Sequence, residues 1–249
     1  MFTLDFIVTT SCCDAKGNLK LYSALQMMQD CSEMWIDTEP VVKEYFQQQN
    51  MTQLLASRQV EVVRVPQFKE RLTVTTSVYG IEPMFGFRNT FIRDAQGLPC
   101  YKTWSMGAFV DKSTGRLKKI EKSVMDSLTM EPQLDMEYKE RRIKLPKDFG
   151  TIHDLPADDS SGNTAVAYEP LTVKPSDIDY NRHMNNACYV RMAMDLLPEN
   201  FKIREMRVEY RAAAKLGDVL RPLVLNHQSS VITVFMLSGM PAAIIEFSR

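Results

Sequence analysis

A chain of 249 residues is long enough for one large domain or two ordinary ones. Its 45% hydrophobic and 24% charged residues exclude a disordered chain. Thirty basic against 31 acidic side chains leave a net charge of −1, which argues against a nucleic-acid binder held by bulk electrostatics.

The opening "FTLDFIV" alternates as a strand does. With no basic region ahead of a long apolar one, it is not expected to be a secretory signal. No uninterrupted apolar run anywhere reaches the length of a membrane span. The five cysteines (Cys12, Cys13, Cys31, Cys100 and Cys188) form no CxxC or metal-ligand pattern, and their odd number suits reduced thiols in a cytoplasmic protein. "LYSALQMMQDCSEMW" puts Leu21, Ala24, Leu25, Met28, Cys31 and Trp35 on one helical stripe. Thr38–Thr52 follows as an additional helix candidate. Then "RLTVTTSVY", "FRNTFIR" and "YKTWSMGAFV" read as antiparallel strands. Glu131–Asn163 is polar, rich in turn formers and poorly periodic, the pattern of a connection.

Beyond it the order recurs. "AVAYEPLTV" is a strand candidate. Val190, Ala193, Met194 and Leu197 form a second helical stripe stopped by Pro198, and "VLRPLVLN" and "SVITVFML" are further strands. Gln59–Val74 lies on Arg207–Pro222 without a gap, matching Val60-Glu61 with Val208-Glu209 and Leu72 with Leu220. The expected fold class is α+β: two tandem units, each a central helix wrapped by an antiparallel sheet, with that helix as the sheet's only available cover. The expected boundaries are 1–130, a linker 131–163, and 164–249.

"DIDYNRHMNN" precedes the second helix. If its backbone is extended, Asp179, Asn181 and His183 project to one side and Tyr180 and Arg182 to the other. Asn185 or Asn186 suits the helix cap and leaves free N–H groups for an oxyanion. The plainer alternative is a set of ordinary turn and cap residues. Cys188 fits a packing role better than a nucleophile's. His153 and His227 have no ligand-spaced companions, so no metal or cofactor site is expected. The 16 methionines suit an adaptable tunnel, but core filling explains most of them. "KERRIKLPK" (Lys139–Lys147), with Lys118 and Lys119, suits either an acidic partner or a solvated linker.

Asp179, Asn181, His183, Asn185, Asn186 and Tyr189 meet the pattern D-x-N-x-H-x-N-N-x-x-Y, and Val208–Asp218 carries an "EYR…GD" block. On these residues the chain resembles the acyl-acyl-carrier-protein thioesterases, tandem hotdog enzymes that release fatty acids from carrier protein. The resemblance implies Asp179, Asn181 and His183 as catalytic residues and the first unit as the acyl pocket. It also implies acyl carrier protein, bearing fatty acyl-phosphopantetheine, as partner; nothing in it excludes a homodimer. Two polar groups of the family pattern are replaced here: a Glu by Ala213, and a Cys of some members by Ala214. The alternatives are an acyl-CoA thioesterase and a non-catalytic acyl-binding or carrier-docking protein.

Overall fold

In the computed structural model, which describes residues 1–145 and 164–249, the first apolar stripe is one side of helix α1, Leu21–Thr38. Leu21, Ala24, Leu25, Met28, Cys31 and Trp35 are all buried. Each large side chain among them contributes about 1.5–3 kcal/mol by leaving water. Met27 is buried beside them, whereas Met34 is exposed. The chain divides into two compact units, Met1–Tyr138 and Lys139–Arg249.

In the first unit α1 lies on an antiparallel sheet. Its strand order is β1 (Phe2–Ile7), β3 (Arg71–Glu82), β4 (Phe85–Asp94), β5 (Pro99–Asp111) and β2 (Met51–Val62). Alternation aims Val74, Thr76, Thr90 and Ile92 at the helix. Cys31 Sγ donates to the Val74 carbonyl at 3.3 Å, and Ser32 Oγ lies 3.4 and 3.5 Å from the hydroxyls of Thr76 and Thr90. On the same side the buried Arg88 guanidinium stacks 4.0 Å from the Trp35 ring, and burial pushes its pKa down to about 10. The additional helix is α2 (Pro40–Gln48), with Pro40 at its first position, where a missing N–H costs nothing. A short α3 (Lys122–Ser127), too brief to leave a periodic signal, packs with it around Phe46, Met51, Phe109 and Val124.

In the second unit α4 (Asn186–Met194) packs on a sheet ordered β8 (Glu205–Tyr210), β11 (Met240–Ser248), β10 (Ser230–Leu237), β9 (Val219–Asn226) and β6 (Thr164–Ala167). Tyr189 of α4 meets Phe235 of β10 edge-on at 6.1 Å. Where one strand was expected for "AVAYEPLTV", two short ones form, β6 and β7 (Leu171–Thr172), both on β9. Pro170 between them has no N–H to give a ladder. Helix α4 stops at Met194, leaving Leu197 outside it.

The helices are not the sheets' only cover, and here the sequence expectation is corrected. The described part of the expected linker 131–163, residues 131–145, makes contacts with both sheets, though many of its residues are exposed. Residues 131–138 cross the side of the first sheet away from α1. There Asn89 Oδ1 accepts from Leu134 N and Tyr138 Oη, Gln59 Nε2 donates to Glu137 O, and Tyr138 stacks on Trp104. Residues 139–145 do the same in the second unit, where Ile143 is buried with Leu225, Ile232, Val234 and Ile244. Both sheets carry apolar or buried polar residues on two sides, so each needs a second layer. Among the described residues no helix is long and apolar enough to cross a membrane.

Candidate active site

Residues 179–183 are not extended. Asp179 N donates to His183 O at 2.9 Å, Arg182 N donates to Asp179 O at 3.0 Å, and Ile178 bridges Met184. Asp179 Oδ1 accepts from Asn181 N at 2.9 Å. The segment is a tight hairpin closed by an aspartate turn, a local hydrogen bond that competes successfully with extended backbone. The expected projection to one side by strand alternation is therefore not met; the three residues share one loop. Asp179 and His183 are half-buried and Asn181 is exposed. Asp179 uses only Oδ1 for the turn; among the described residues its Oδ2, the Asn181 amide and the His183 imidazole carry no hydrogen bond.

The loop is anchored at its base. Met184 N donates to Ala214 O and Asn185 N to Asp177 O, each at 2.8 Å. Asn185 caps α4, its Oδ1 accepting from Ala187 N at 2.9 Å, as expected for one of the two asparagines. Tyr210 Oη donates to Asn186 O, and Tyr189 Oη accepts from Ala214 N, both at 2.9 Å. The Ala213–Ala214 segment thus runs beside the base of the hairpin, with Ala213 exposed and Ala214 buried. Cys188 is buried; burial pushes its thiol pKa up, which suits packing and not attack. His227 lies between β9 and β10, and His153 is outside the described residues.

The first unit repeats this construction residue for residue. Asp14 N donates to Asn18 O at 2.8 Å, Gly17 N to Asp14 O at 3.1 Å, Leu19 N to Pro66 O at 2.7 Å, and Lys20 N to Cys12 O at 2.9 Å. Asp14 Oδ1 accepts from Lys16 N at 2.8 Å, and Cys13 bridges Leu19. Asp14 thus matches Asp179, but Lys16 and Asn18 stand where the second unit has Asn181 and His183. The aspartate belongs to the turn in both copies, and in the first it also accepts from Asn18 N at 2.9 Å and Asn18 Nδ2 at 3.3 Å. The imidazole, and an amide at the position of Lys16, are particular to the second.

One position carries strain in only one copy. Gly17 and Arg182 both adopt left-handed backbone, φ +81° and +64°. Glycine is at ease there and arginine is not. Arg182→Gly is expected to raise stability by up to about 1 kcal/mol, read as a higher denaturant midpoint. A lower midpoint would mean that the arginine side chain contributes more than the backbone strain costs.

A helix on an antiparallel sheet, with a polar hairpin leading into the helix, is the architecture of the hotdog thioesterases. The profile of the acyl-ACP thioesterase N-terminal domain matches residues 1–128, and that of the acyl-ACP thioesterase C-terminal domain matches residues 161–239. The chain belongs to the acyl-ACP thioesterase family. It is 28% identical over 170 residues to the chloroplastic dodecanoyl-[acyl-carrier-protein] hydrolase of Cinnamomum camphora, a match covering 66% of this chain and 42% of that relative. An acyl-ACP thioesterase from Bacteroides thetaiotaomicron has the same fold, with a TM-score of 0.82 at 20% identity over 99% of this chain and 96% of its own. So does a 12:0-ACP thioesterase from Umbellularia californica, with a TM-score of 0.81 at 18% identity and the same two coverages.

Proposed function

We propose that this protein hydrolyses the thioester of fatty acyl-acyl-carrier protein, releasing a free fatty acid and so ending chain elongation. The observation that carries this reading is the difference between the two hairpins. The same backbone bears Lys16 and Asn18 in one unit and Asn181 and His183 in the other. A turn needed only for folding has no use for the second pair, whereas water attack on a thioester does.

In the proposed mechanism His183 takes a proton from water as the water oxygen bonds to the acyl carbon. The C–S bond then breaks and the proton passes to the departing thiolate. Asn181 donates hydrogen bonds to the water or to the carbonyl oxygen as it becomes negative. Asp179 orients these partners through Oδ2, the oxygen its turn leaves open. Thiolates leave readily, so a weak acid suffices, and an apolar residue at position 213 places the burden of activating water on Asp179 and His183. The division of labour we propose gives the first unit the acyl chain and the second the hydrolytic groups. We place the reaction in the cytoplasm, and a homodimer is compatible with it.

Free thiol released from acyl-carrier protein tests the reading directly. Binding with no thiol released would favour a non-catalytic acyl-binding protein, and faster turnover of acyl-CoA at equal chain length would favour a coenzyme A thioesterase.

Carrier docking has a separate test. Of the basic run, Lys139 pairs with Glu205 at 2.7 Å, and Lys118 is tied to the Gln49 carbonyl. Arg141 and Arg142 are exposed, and among the described residues no carboxylate pairs with either. Like Lys119, which is also exposed, they are cations available to an acidic carrier and its phosphate. Arg141→Glu with Arg142→Glu is expected to raise KM for the carrier-bound substrate about tenfold, the scale of two lost surface charge contacts, and to spare small acyl thioesters. An equal effect on both substrates would place docking elsewhere.

A further inference from the structure

The two hairpins differ in one more way that the proposed chemistry does not use. Asp177, just ahead of the second hairpin, is buried, with its side chain only 5% exposed. Its Oδ2 accepts from Lys174 N at 2.9 Å, and its Oδ1 accepts from Arg191 Nη2 at 2.8 Å. Its own carbonyl accepts from Asn185 N at 2.8 Å. One residue thus ties together the start of the short 3-10 turn leading into the hairpin, the cap leaving it and the middle of α4. Nothing in the sequence marked this pair. Asp177 sits in the polar run among five other candidates, and Arg191 lies fourteen residues on, on a helix side that periodicity leaves polar.

The first unit has the backbone bond and lacks the ion pair. Cys12 occupies the place of Asp177 and Gln26 that of Arg191, while Lys20 N still donates to Cys12 O at 2.9 Å. The first hairpin closes with the same backbone hydrogen bonds without that pair, aided by two more from Asn18 N and Nδ2 to the Asp14 carboxylate. The fold of the turn therefore does not require it.

We infer that Asp177 and Arg191 form a positioning pair for hydrolysis, holding the hairpin that carries Asn181 and His183 at a fixed setting against α4. This rests on the proposed function of that hairpin. A carboxylate with two charge-assisted or backbone partners is a stiff anchor, and its stiffness passes through Ile178 to the loop. A shift of the hairpin by a fraction of an ångström would misalign the imidazole while leaving substrate binding intact, a loss that falls on kcat and not on KM.

The test uses the full chain and four variants: Arg191→Met, Arg191→Lys, Asp177→Asn, and Asp177→Asn with Arg191→Met. The readouts are kcat and KM on acyl-carrier protein, Tm, and exchange of the Asn181 and Arg182 amides. Arg191→Met should lose about 10- to 100-fold in kcat with KM little changed, and both amides should exchange faster. Tm should fall, because a buried carboxylate is left without its cation, but the loss of rate should exceed the fraction unfolded at the assay temperature. Arg191→Lys should restore most of the rate, and the double variant should be no worse than Arg191→Met alone. A folded Arg191→Met with unchanged kcat overturns the inference. So does a loss that merely follows the fraction unfolded, or a lysine that restores nothing. If Arg191→Met does not fold, Asp177→Asn and Arg191→Lys decide by the same criteria. A wild-type protein that releases no thiol sinks the functional reading instead. Wild-type turnover with unaffected variants sinks this inference only.

Discussion

His183→Ala is expected to lower kcat/KM for acyl-carrier protein by about 10²–10⁴-fold, the worth of a general acid–base group. Its stability should stay within about 0.5–1 kcal/mol of wild type. The separation of the two effects follows from the hairpin. The His183 carbonyl, not its ring, closes the loop by accepting from Asp179 N, and alanine supplies the same carbonyl. The imidazole is half-buried and, among the described residues, holds up nothing else by hydrogen bonding. A matching loss of activity and of Tm would instead mark the ring as a packing element. An unchanged rate would remove it from the mechanism.

The second large effect is expected at Asp179, where two substitutions separate two roles. In Asp179→Asn the amide oxygen still accepts from Asn181 N, so the turn persists and only the charge is lost. A fall in kcat of at least about tenfold is expected, at unchanged Tm. Asp179→Ala removes the turn's hydrogen bond as well. It should add a stability loss of about 1 kcal/mol and a further fall in rate. Full activity in Asp179→Asn, measured beside wild type on the same acyl-carrier substrate, would reduce Asp179 to the structural part that Asp14 already plays in the first unit.

The contrast between Asp14 and Asp179 also defines what could be read in advance. Residue type and order were sufficient for the elements. A helical stripe from Leu21 to Trp35 has one place to go when strands surround it, and β9 and β10 form on the very runs that alternate. The block from Asp179 to Tyr189 was legible as a group because it is contiguous. Its conformation was not. An extended run and an aspartate turn draw on the same residue types, and the choice depends on one hydrogen bond from Asn181 N. The short α3 and the split between β6 and β7 escaped notice because few residues carry each of them. The cover supplied by residues 131–145 escaped for a different reason. Polar segments that satisfy Asn89 and Gln59 from outside look, in sequence, like solvated linker.

By itself the sequence determined the buried stripe of the first helix, the recurrence of a helix-and-sheet unit, and the polar block that leads into the second helix. These follow from the periodicity of side chains along the backbone, which is a local property. Only the tertiary structure decided that the block is a closed hairpin, that its twin exists around Asp14, and that Asp177 reaches Arg191 across a turn of helix. Those depend on which donors meet which acceptors once distant backbone segments lie side by side, and chain order alone does not specify such meetings.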